Sequence, residues 1–300
     1  MGFFKRHTGR GSYDLFSNHS HCVPGYSGMA LLFALFLLGA LLGNLVVLAL
    51  NLFSQEFASV YGTVISYPVM FIPPWLYASA KSRRDEFFVT GYALDSNHFG
   101  SLGGFRMALV VSIATFATAF IAEGFNCFMP ETPEWFEDAM EQIMGAPVWV
   151  TLISVSVFAP LFEEWLCRGL VLRGLLQKTG PATAIIVSAA FFAILHMNPW
   201  QALPAFLLGL IFGYVYYKTG SLKLTMLMHC VNNTLAVILT KIPSFEEAEG
   251  FVDVLSPWAY AGVFAACVAF VAATCVVLRN IPFPKEGARS NCDEIPPMSI

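Results

Sequence analysis

The stretch APLFEEWLCRGLVLRGLL, residues 159–176, places Glu163, Glu164 and Arg168 within two helical turns of an otherwise apolar segment. The surrounding chain of 300 residues is 57% hydrophobic and only 12% charged, with a mean hydropathy of +0.65. An average soluble domain carries about twice that share of charge. The composition therefore predicts a polytopic membrane protein, in which charges inside a span are candidates for a functional site.

Apolar stretches of bilayer-spanning length predict an all-α polytopic membrane protein with about eight transmembrane helices. The second stretch contains Pro68, Pro73 and Pro74, so we expect a kinked or broken helix there. The net charge of -4 and the pI near 5.9 give no nucleic-acid-binding footprint. The predicted spans are 29–53, 58–80, 105–123, 147–172, 182–197, 200–217, 221–240 and 257–278.

The distribution of basic residues supports an even number of spans. If the eight spans alternate, every Lys and Arg except Arg168 and Lys241 falls on one side, in a loop, in a tail or at the adjoining end of a span. The positive-inside rule then predicts an integral, multi-pass protein, in the cell membrane if the source is bacterial, with both termini cytoplasmic. The predicted segments are a cytoplasmic tail 1–28, three spans in 29–123, an extracytoplasmic acidic loop 124–146, a core 147–280 and a cytoplasmic tail 281–300.

Two of these segments leave an alternative open. The acidic loop is interpreted as solvated, with an aromatic anchor at Trp135 and Phe136, and the alternative is a re-entrant or interfacial helix. The stretch SNHSHC, residues 17–22, is interpreted as part of a flexible tail rather than as a metal site.

The charges of the opening stretch divide into a pair and a single carboxylate. Glu164 and Arg168 are four residues apart, which predicts a pair on one face of the helix. Glu163 points about 100 degrees away from Glu164 and has no local partner. A carboxylate in an apolar span, free to be tuned by its surroundings, is a candidate general base.

Two other predicted spans carry polar side chains with matching spacing. In the fifth, Phe192 and His196 share a face, and in the seventh His229 and Asn233 do so. Counting from the turn at 178–181 puts Glu163 and His196 at the same height, about 25 Å up one hairpin. Three spans that contribute Glu, His, and His with Asn predict one shared functional site.

In order and spacing these residues resemble a family of intramembrane proteases. The stretches EEWLCR, FAILH and HCVNN match E-E-x-x-x-R, F-x-x-x-H and H-x-x-x-N of the CPBP family (CAAX protease and bacteriocin-processing, or Abi), which includes the Rce1-type CAAX endopeptidases. The resemblance covers about residues 145–240. It implies a catalytic core, 147–280, of helices around a polar intramembrane cavity, and an endopeptidase acting on a membrane-tethered peptide or protein.

The resemblance also implies roles for the residues in these motifs. Glu163 would be the general base and would activate a water molecule together with His196. His229 and Asn233 would stabilise the oxyanion of the tetrahedral intermediate. The supporting residues, which would hold the fourth span and pack beneath the imidazole, are Glu164, Arg168 and Phe192.

The need for a metal ion stays open at this point. Glu163 (or Glu164), His196 and His229 can form a Glu-His-His zinc site with one open position, and the family is commonly labelled metalloprotease for that reason. A metal-free glutamate mechanism fits the same residues, and the sequence contains no H-E-x-x-H motif. The metal-free interpretation is favoured, with Zn²⁺ as the alternative cofactor.

Two other functions compete with the protease. Intramembrane Glu, Arg and His also occur in transporters, which predicts symmetry between the two halves of the chain, and no internal repeat is visible. A non-catalytic scaffold or immunity protein is the second alternative, and the intact set of catalytic-type residues argues against it.

Overall fold

The computed structural model describes residues 17–89, 91–125, 128–242, 245, 248 and 250–281. This part of the chain is helical and contains no β-strand element, which confirms the all-α expectation. The longer helices are α1 (Tyr26–Phe53), α2 (Gln55–Met70), α3 (Ile72–Asp85), α4 (Gly103–Glu123), α5 (Glu134–Gly145), α6 (Val148–Leu176), α7 (Pro181–Leu195), α8 (Pro199–Thr219), α9 (Leu222–Leu239) and α10 (Pro257–Arg279).

Among the described residues, 6 helical segments are long and apolar enough to cross a membrane. They correspond to α1, α4, α6, α8, α9 and α10, which supports an integral membrane protein. The other two predicted spans differ: the second is divided between α2 and α3, and the fifth forms α7, which has only 15 residues. The predicted count of eight is therefore not confirmed, and the orientation of the termini stays a prediction.

The centre of the bundle is α6. Its segment Trp165–Leu172 is completely buried, and it packs against α7, α8 and α9. Two stretches of this helix, Leu152–Phe158 and Trp165–Leu172, are wound as π-helix. Between them lies the regular α-helical segment Ala159–Glu164, which carries both glutamates. π-Helical turns are rare and occur frequently at functional sites.

The predicted break in the second apolar stretch is confirmed at Phe71, which joins α2 to α3 and is 1% exposed. Pro68 lies in the last turn of α2, where it offers no N–H to the carbonyl four residues earlier, and the helix ends at Met70. α1 packs along α2 at very short range, because Gly39 has no side chain. A Cβ at Gly39 would lie 1.9 Å from the carbonyl oxygen of Met70.

α7 and α8 form a tight hairpin, and a second turn leads from α8 into α9. Gly209 of α8 allows the close approach, since a Cβ there would lie 3.0 Å from the Cα of Ala189. Gly220 ends α8 in the left-handed conformation, with φ of 64°. The Ser221 side chain then accepts a hydrogen bond from the backbone N–H of Leu224 and caps α9.

The expectation of a flexible N-terminal tail is wrong for the stretch 17–22. The buried guanidinium of Arg173 donates to the carbonyl oxygens of Cys22 at 2.6 Å, Ser20 at 2.9 Å and His19 at 3.1 Å. Because a buried guanidinium needs hydrogen-bond acceptors, these three hydrogen bonds hold the segment against α6. The earlier part of the predicted tail, and the predicted C-terminal tail after Ile281, lie outside the described residues.

The acidic loop between α4 and α6 contains the helix α5. None of the described side chains of α5 is buried, and its rings Trp135 and Phe136 lie 5.8 Å and 5.1 Å from the ring of Trp200 at the start of α8. A helix in this loop agrees with the alternative interpretation, and Trp135 and Phe136, the expected aromatic anchor, lie on it. Its position relative to the membrane surface stays a prediction.

Candidate active site

Glu164 lies where α6, α8 and α9 approach one another, and its side chain has no exposed surface. One oxygen, Oε1, accepts hydrogen bonds from Arg168 Nη1 at 2.8 Å and from His229 Nδ1 at 3.1 Å. The predicted Glu164–Arg168 pair is thus confirmed, whereas the contact with His229 was not predicted. One carboxylate therefore holds a guanidinium on its own helix and an imidazole on α9.

The guanidinium of Arg168 is also fully buried. It donates from Nη2 to the carbonyl oxygen of Gly209 at 3.2 Å, and it lies over the rings of Phe192 and Phe212 at 4.5 Å and 5.4 Å. Ring faces and a backbone carbonyl replace part of the lost hydration. Arg168 therefore ties α6 to α7 and α8 while it compensates the charge of Glu164.

Phe192 joins the two histidines of the site. Its ring packs edge-on against His196 at 5.2 Å and against His229 at 5.5 Å. The expected packing beneath His196 is confirmed, and the same ring extends the contact to α9. Phe192 therefore links α7 to α9 next to the Glu164–Arg168 pair, while one functional site shared by Glu163, His196, His229 and Asn233 stays a prediction.

Both imidazoles use Nδ1 for a contact with an oxygen acceptor. His196 Nδ1 lies 3.0 Å from the carbonyl oxygen of Phe192, and His229 Nδ1 lies 3.1 Å from Glu164 Oε1. A carbonyl oxygen can only accept, so Nδ1 of His196 carries the proton. In the neutral ring Nε2 is then the acceptor, which leaves it suited to bind water.

Glu163 has a hydrogen-bond partner, Tyr67, that lies outside the three sequence motifs. The hydroxyl of Tyr67, at the end of α2, donates a short hydrogen bond to Glu163 Oε1. The other oxygen, Oε2, is buried and has no hydrogen-bond partner in the part of the chain that the structure describes. Within the described residues no hydrogen bond joins Glu163 to His196, so their cooperation on one water molecule stays a prediction.

Asn233 binds a carbonyl group that the winding of α6 leaves without a donor. In the π-helical stretch, the N–H of Ala159 binds the carbonyl of Ser154, five residues earlier. The corresponding donor for Val155 would be Pro160, which has no N–H. Asn233 Nδ2 donates to the Val155 carbonyl oxygen at 2.6 Å instead. One N–H of this amide is therefore used structurally, and the second is left for chemistry.

Asn198 is a residue of the site that the sequence interpretation missed. Its Nδ2 donates to the carbonyl oxygen of His196 at 2.8 Å, and its Oδ1 accepts from the N–H of Gln201 at 2.8 Å, which caps α8. Between them, Met197 has a positive φ of 54°. The signal was present in the sequence, since Asn followed by Pro is a typical helix start.

The described residues contain no group of three His, Cys, Asp or Glu side chains arranged to hold a metal ion. The expected ligand set of Glu163, His196 and His229 is therefore not assembled as a metal site. The alternative carboxylate, Glu164, already faces a guanidinium, which supplies the positive charge that a metal would bring. Because the donor set does not fit a metal ion, no step is assigned to one.

Fold and site together define an integral membrane protein of the all-α class, with a buried Glu–Arg–His cluster built by helices from distant parts of the sequence. Comparison with known families gives a more specific result. Residues 145–235 match the family model described as Type II CAAX prenyl endopeptidase Rce1-like. The resemblance inferred from the motifs is thereby confirmed, over the segment that holds Glu163, Glu164 and the two histidines of the site.

A curated relative points in the same direction. A protein of Bacillus subtilis (strain 168), named "Putative membrane peptidase YdiL", is 26% identical over 104 residues. The aligned part is 35% of this chain and 42% of that protein, so the match spans less than half of either. No solved structure matches the chain. The comparisons support a membrane peptidase at the level of the family.

Proposed function

We propose that the chain is an intramembrane endopeptidase of the CPBP, CAAX-protease type, with Glu163 as the general base. The observation that carries this proposal is the buried Oε2 of Glu163, which has no hydrogen-bond partner among the described residues while Oε1 is held by Tyr67. A carboxylate oxygen kept away from other donors in a low-dielectric site is available to take a proton from water. Glu164 is a poorer candidate, since Arg168 and His229 compensate its charge.

The proposed reaction begins with a water molecule between Glu163 and His196. Oε2 of Glu163 takes one proton, and Nε2 of His196 accepts a hydrogen bond from the other and orients the molecule. The water oxygen adds to the carbonyl carbon of the scissile peptide bond. When the C–N bond breaks, the proton on Glu163 passes to the leaving amine, so one water is consumed and two termini are formed.

The negative charge on the tetrahedral intermediate would be stabilised by His229 and Asn233. With Nδ1–H donated to Glu164, the protonated ring of His229 presents Nε2–H to the oxyanion. Asn233 contributes the amide hydrogen that Val155 does not use. Glu164 has a positioning role in this scheme: it orients the imidazole, and Arg168 balances its charge.

The substrate class proposed is a peptide or protein tethered to the lipid bilayer. Glu163, His229 and Asn233 lie on helices long enough to cross a membrane, so a substrate that partitions into the bilayer reaches them without leaving it. The proposal includes no nucleic-acid partner and no metal ion.

The test is cleavage of a membrane-tethered peptide library in proteoliposomes by the wild type and by Glu163→Gln. The substitution keeps the shape of the side chain and removes the base, so we expect cleavage to fall by about 10²- to 10⁴-fold. Glu134→Gln, at an exposed position of α5, is the matched control and should cleave like the wild type. Equal cleavage by both proteins, or none by the wild type, would contradict the proposal.

A further inference from the structure

Tyr67 lies in the last turn of α2, immediately before the chain breaks at Phe71. Its hydroxyl donates to Glu163 Oε1 across 96 positions of sequence. Residue 67 is outside the segment 145–235 that the family model matches. The contact therefore joins the matched core to a part of the chain to which neither the motifs nor the family match assigns a role.

The position of Tyr67 is set by an aromatic stack that includes the neighbour of Glu163. The ring of Phe71 lies 5.8 Å from Tyr67 and 5.2 Å from Phe162, and the two pairs are stacked with interplanar angles of 28° and 15°. Such pairs contribute beyond their buried area. The broken second span is thus docked on α6 one residue away from the carboxylate.

The close packing of α1 holds this break in place. A Cβ at Gly39 would lie 1.9 Å from the carbonyl oxygen of Met70, so α1 passes directly against the end of α2. Displacing Tyr67 would require α2 to move against α1 on one side and against Phe162 on the other. The hydroxyl is therefore presented by a constrained backbone, as a precise site requires.

The hydrogen bond distinguishes the two oxygens of Glu163. A donor on Oε1 fixes the rotation of the carboxylate, because hydrogen bonds are directional. It leaves Oε2 as the oxygen without a partner among the described residues. This is the oxygen that the proposed mechanism uses as the base.

We propose that Tyr67 is a positioning residue for Glu163, and that the helices before residue 145 thereby complete the active site. This inference rests on the proposed peptidase function. Tyr67 acts through Glu163 and does not contact the peptide. Its hydroxyl holds the carboxylate in one orientation and directs the free oxygen toward water.

The test compares Tyr67→Phe with Tyr61→Phe in the full-length protein, with kcat and KM measured separately on a cleaved membrane-tethered peptide. Phe keeps the ring stack and removes only the hydroxyl. We expect kcat to fall by about tenfold with KM nearly unchanged, because one hydrogen bond that orients the base is lost. Tyr61 lies on the same helix and packs against Phe57 and Trp149, so its variant should keep both wild-type values.

A second replacement keeps the test informative if Tyr67→Phe misfolds. Exchange of Tyr67 for 3-fluorotyrosine keeps both the ring and the hydroxyl donor, so kcat should stay near the wild-type value. An unchanged kcat in folded Tyr67→Phe, or a kcat of the 3-fluorotyrosine protein as low as that of Tyr67→Phe, would overturn the inference while the peptidase function stands. Absence of cleavage by the wild type would instead contradict the proposed function.

Discussion

At the scale of single residues, the central feature is an ion pair with no exposed surface. Arg168 and Glu164 are both 0% exposed, and Nε of Arg168 and Oε2 of Glu164 have no hydrogen-bond partner within the described residues. Taking two charges out of water is expensive, so such a pair is weak evidence for stability. Its value lies in the geometry that it imposes on His229, which shares the same carboxylate oxygen.

Removal of one partner should nevertheless be costly. Arg168→Met leaves Glu164 buried without its guanidinium, and we expect the free energy of unfolding to fall by about 3–5 kcal/mol. Arg168→Lys keeps the charge but loses the fork that reaches Gly209, so an intermediate loss is expected. SDS titration in detergent micelles measures both. Arg106→Met, at an exposed position, is the control, and a fully stable Arg168→Met protein would contradict the prediction.

The donor set also leads to a prediction on metal dependence. Glu163, His196 and His229 are not assembled as ligands, and Arg168 already compensates the neighbouring carboxylate. We therefore expect cleavage to persist after treatment with EDTA and 1,10-phenanthroline, in protein shown by elemental analysis to contain no zinc. Loss of cleavage that Zn²⁺ restores would contradict this expectation.

At the scale of elements, α6 combines irregular winding with an external hydrogen-bond donor. Pro160 offers no N–H to the carbonyl of Val155, and a buried acceptor without a donor costs free energy. Asn233 of α9 supplies the missing hydrogen bond at 2.6 Å. The π-helical turn therefore depends on the side chain that the proposed mechanism also uses for the oxyanion.

A double-mutant cycle separates these two roles of Asn233. Asn233→Ala should lower the free energy of unfolding by about 1–3 kcal/mol, because the Val155 carbonyl loses its donor. Pro160→Ala restores a backbone N–H, so the loss caused by Asn233→Ala should be smaller in the Pro160→Ala background. Peptide cleavage should stay low in the double variant, since the amide donor is still missing. Additive stabilities, or recovered cleavage, would count against this assignment.

At the scale of the whole molecule, the N-terminal segment packs against α3 and α6. The ring of His19 lies 4.4 Å from that of Trp75, and its Nε2 contacts the hydroxyl of Ser79 at 2.8 Å. Trp165, the residue after Glu164, donates from its indole N–H to His19 Nδ1 at 3.3 Å. The segment before α1 thus contacts both α3 and the core of α6.

Acid should loosen this attachment. Burial, and secondarily the charge of Arg173, lower the pKa of His19 from 6.5 to about 4. The unfolded chain therefore binds a proton between these two values that the folded protein excludes. Stability contributed by neutral His19 is complete above pH 6.5 and is lost as the pH falls toward 4.

The measurement is the thermal midpoint of the wild type and of His19→Gln between pH 7 and pH 4. Glutamine does not titrate, so the wild-type midpoint should fall more steeply over this interval than that of the variant. His21→Gln, three positions before Pro24, is the control and should keep the wild-type slope. Parallel curves for the wild type and His19→Gln would exclude His19 as the responsive group.

Much of the fold and part of the site were accessible from local sequence. Apolar length and periodicity identified the helices, and the prolines located the break between α2 and α3. Spacing of four residues predicted the Glu164–Arg168 pair and the contact of Phe192 with His196, because residues four apart share a helix face. The predictions of single spans at 58–80 and 182–197 were less accurate, since apolar composition does not distinguish a straight span from a broken or short helix.

The remaining features depend on contacts between distant segments. The hydrogen bond from Tyr67 to Glu163, the His229–Glu164 contact and the use of Asn233 by Val155 each join different helices. Local sequence patterns indicate which residues share a helix face and where the charges lie. The rotation and offset of packed helices depend instead on close contacts such as that of Gly39 with Met70. The chemical groups of this site are thus readable along the chain, whereas their partners are set by tertiary packing.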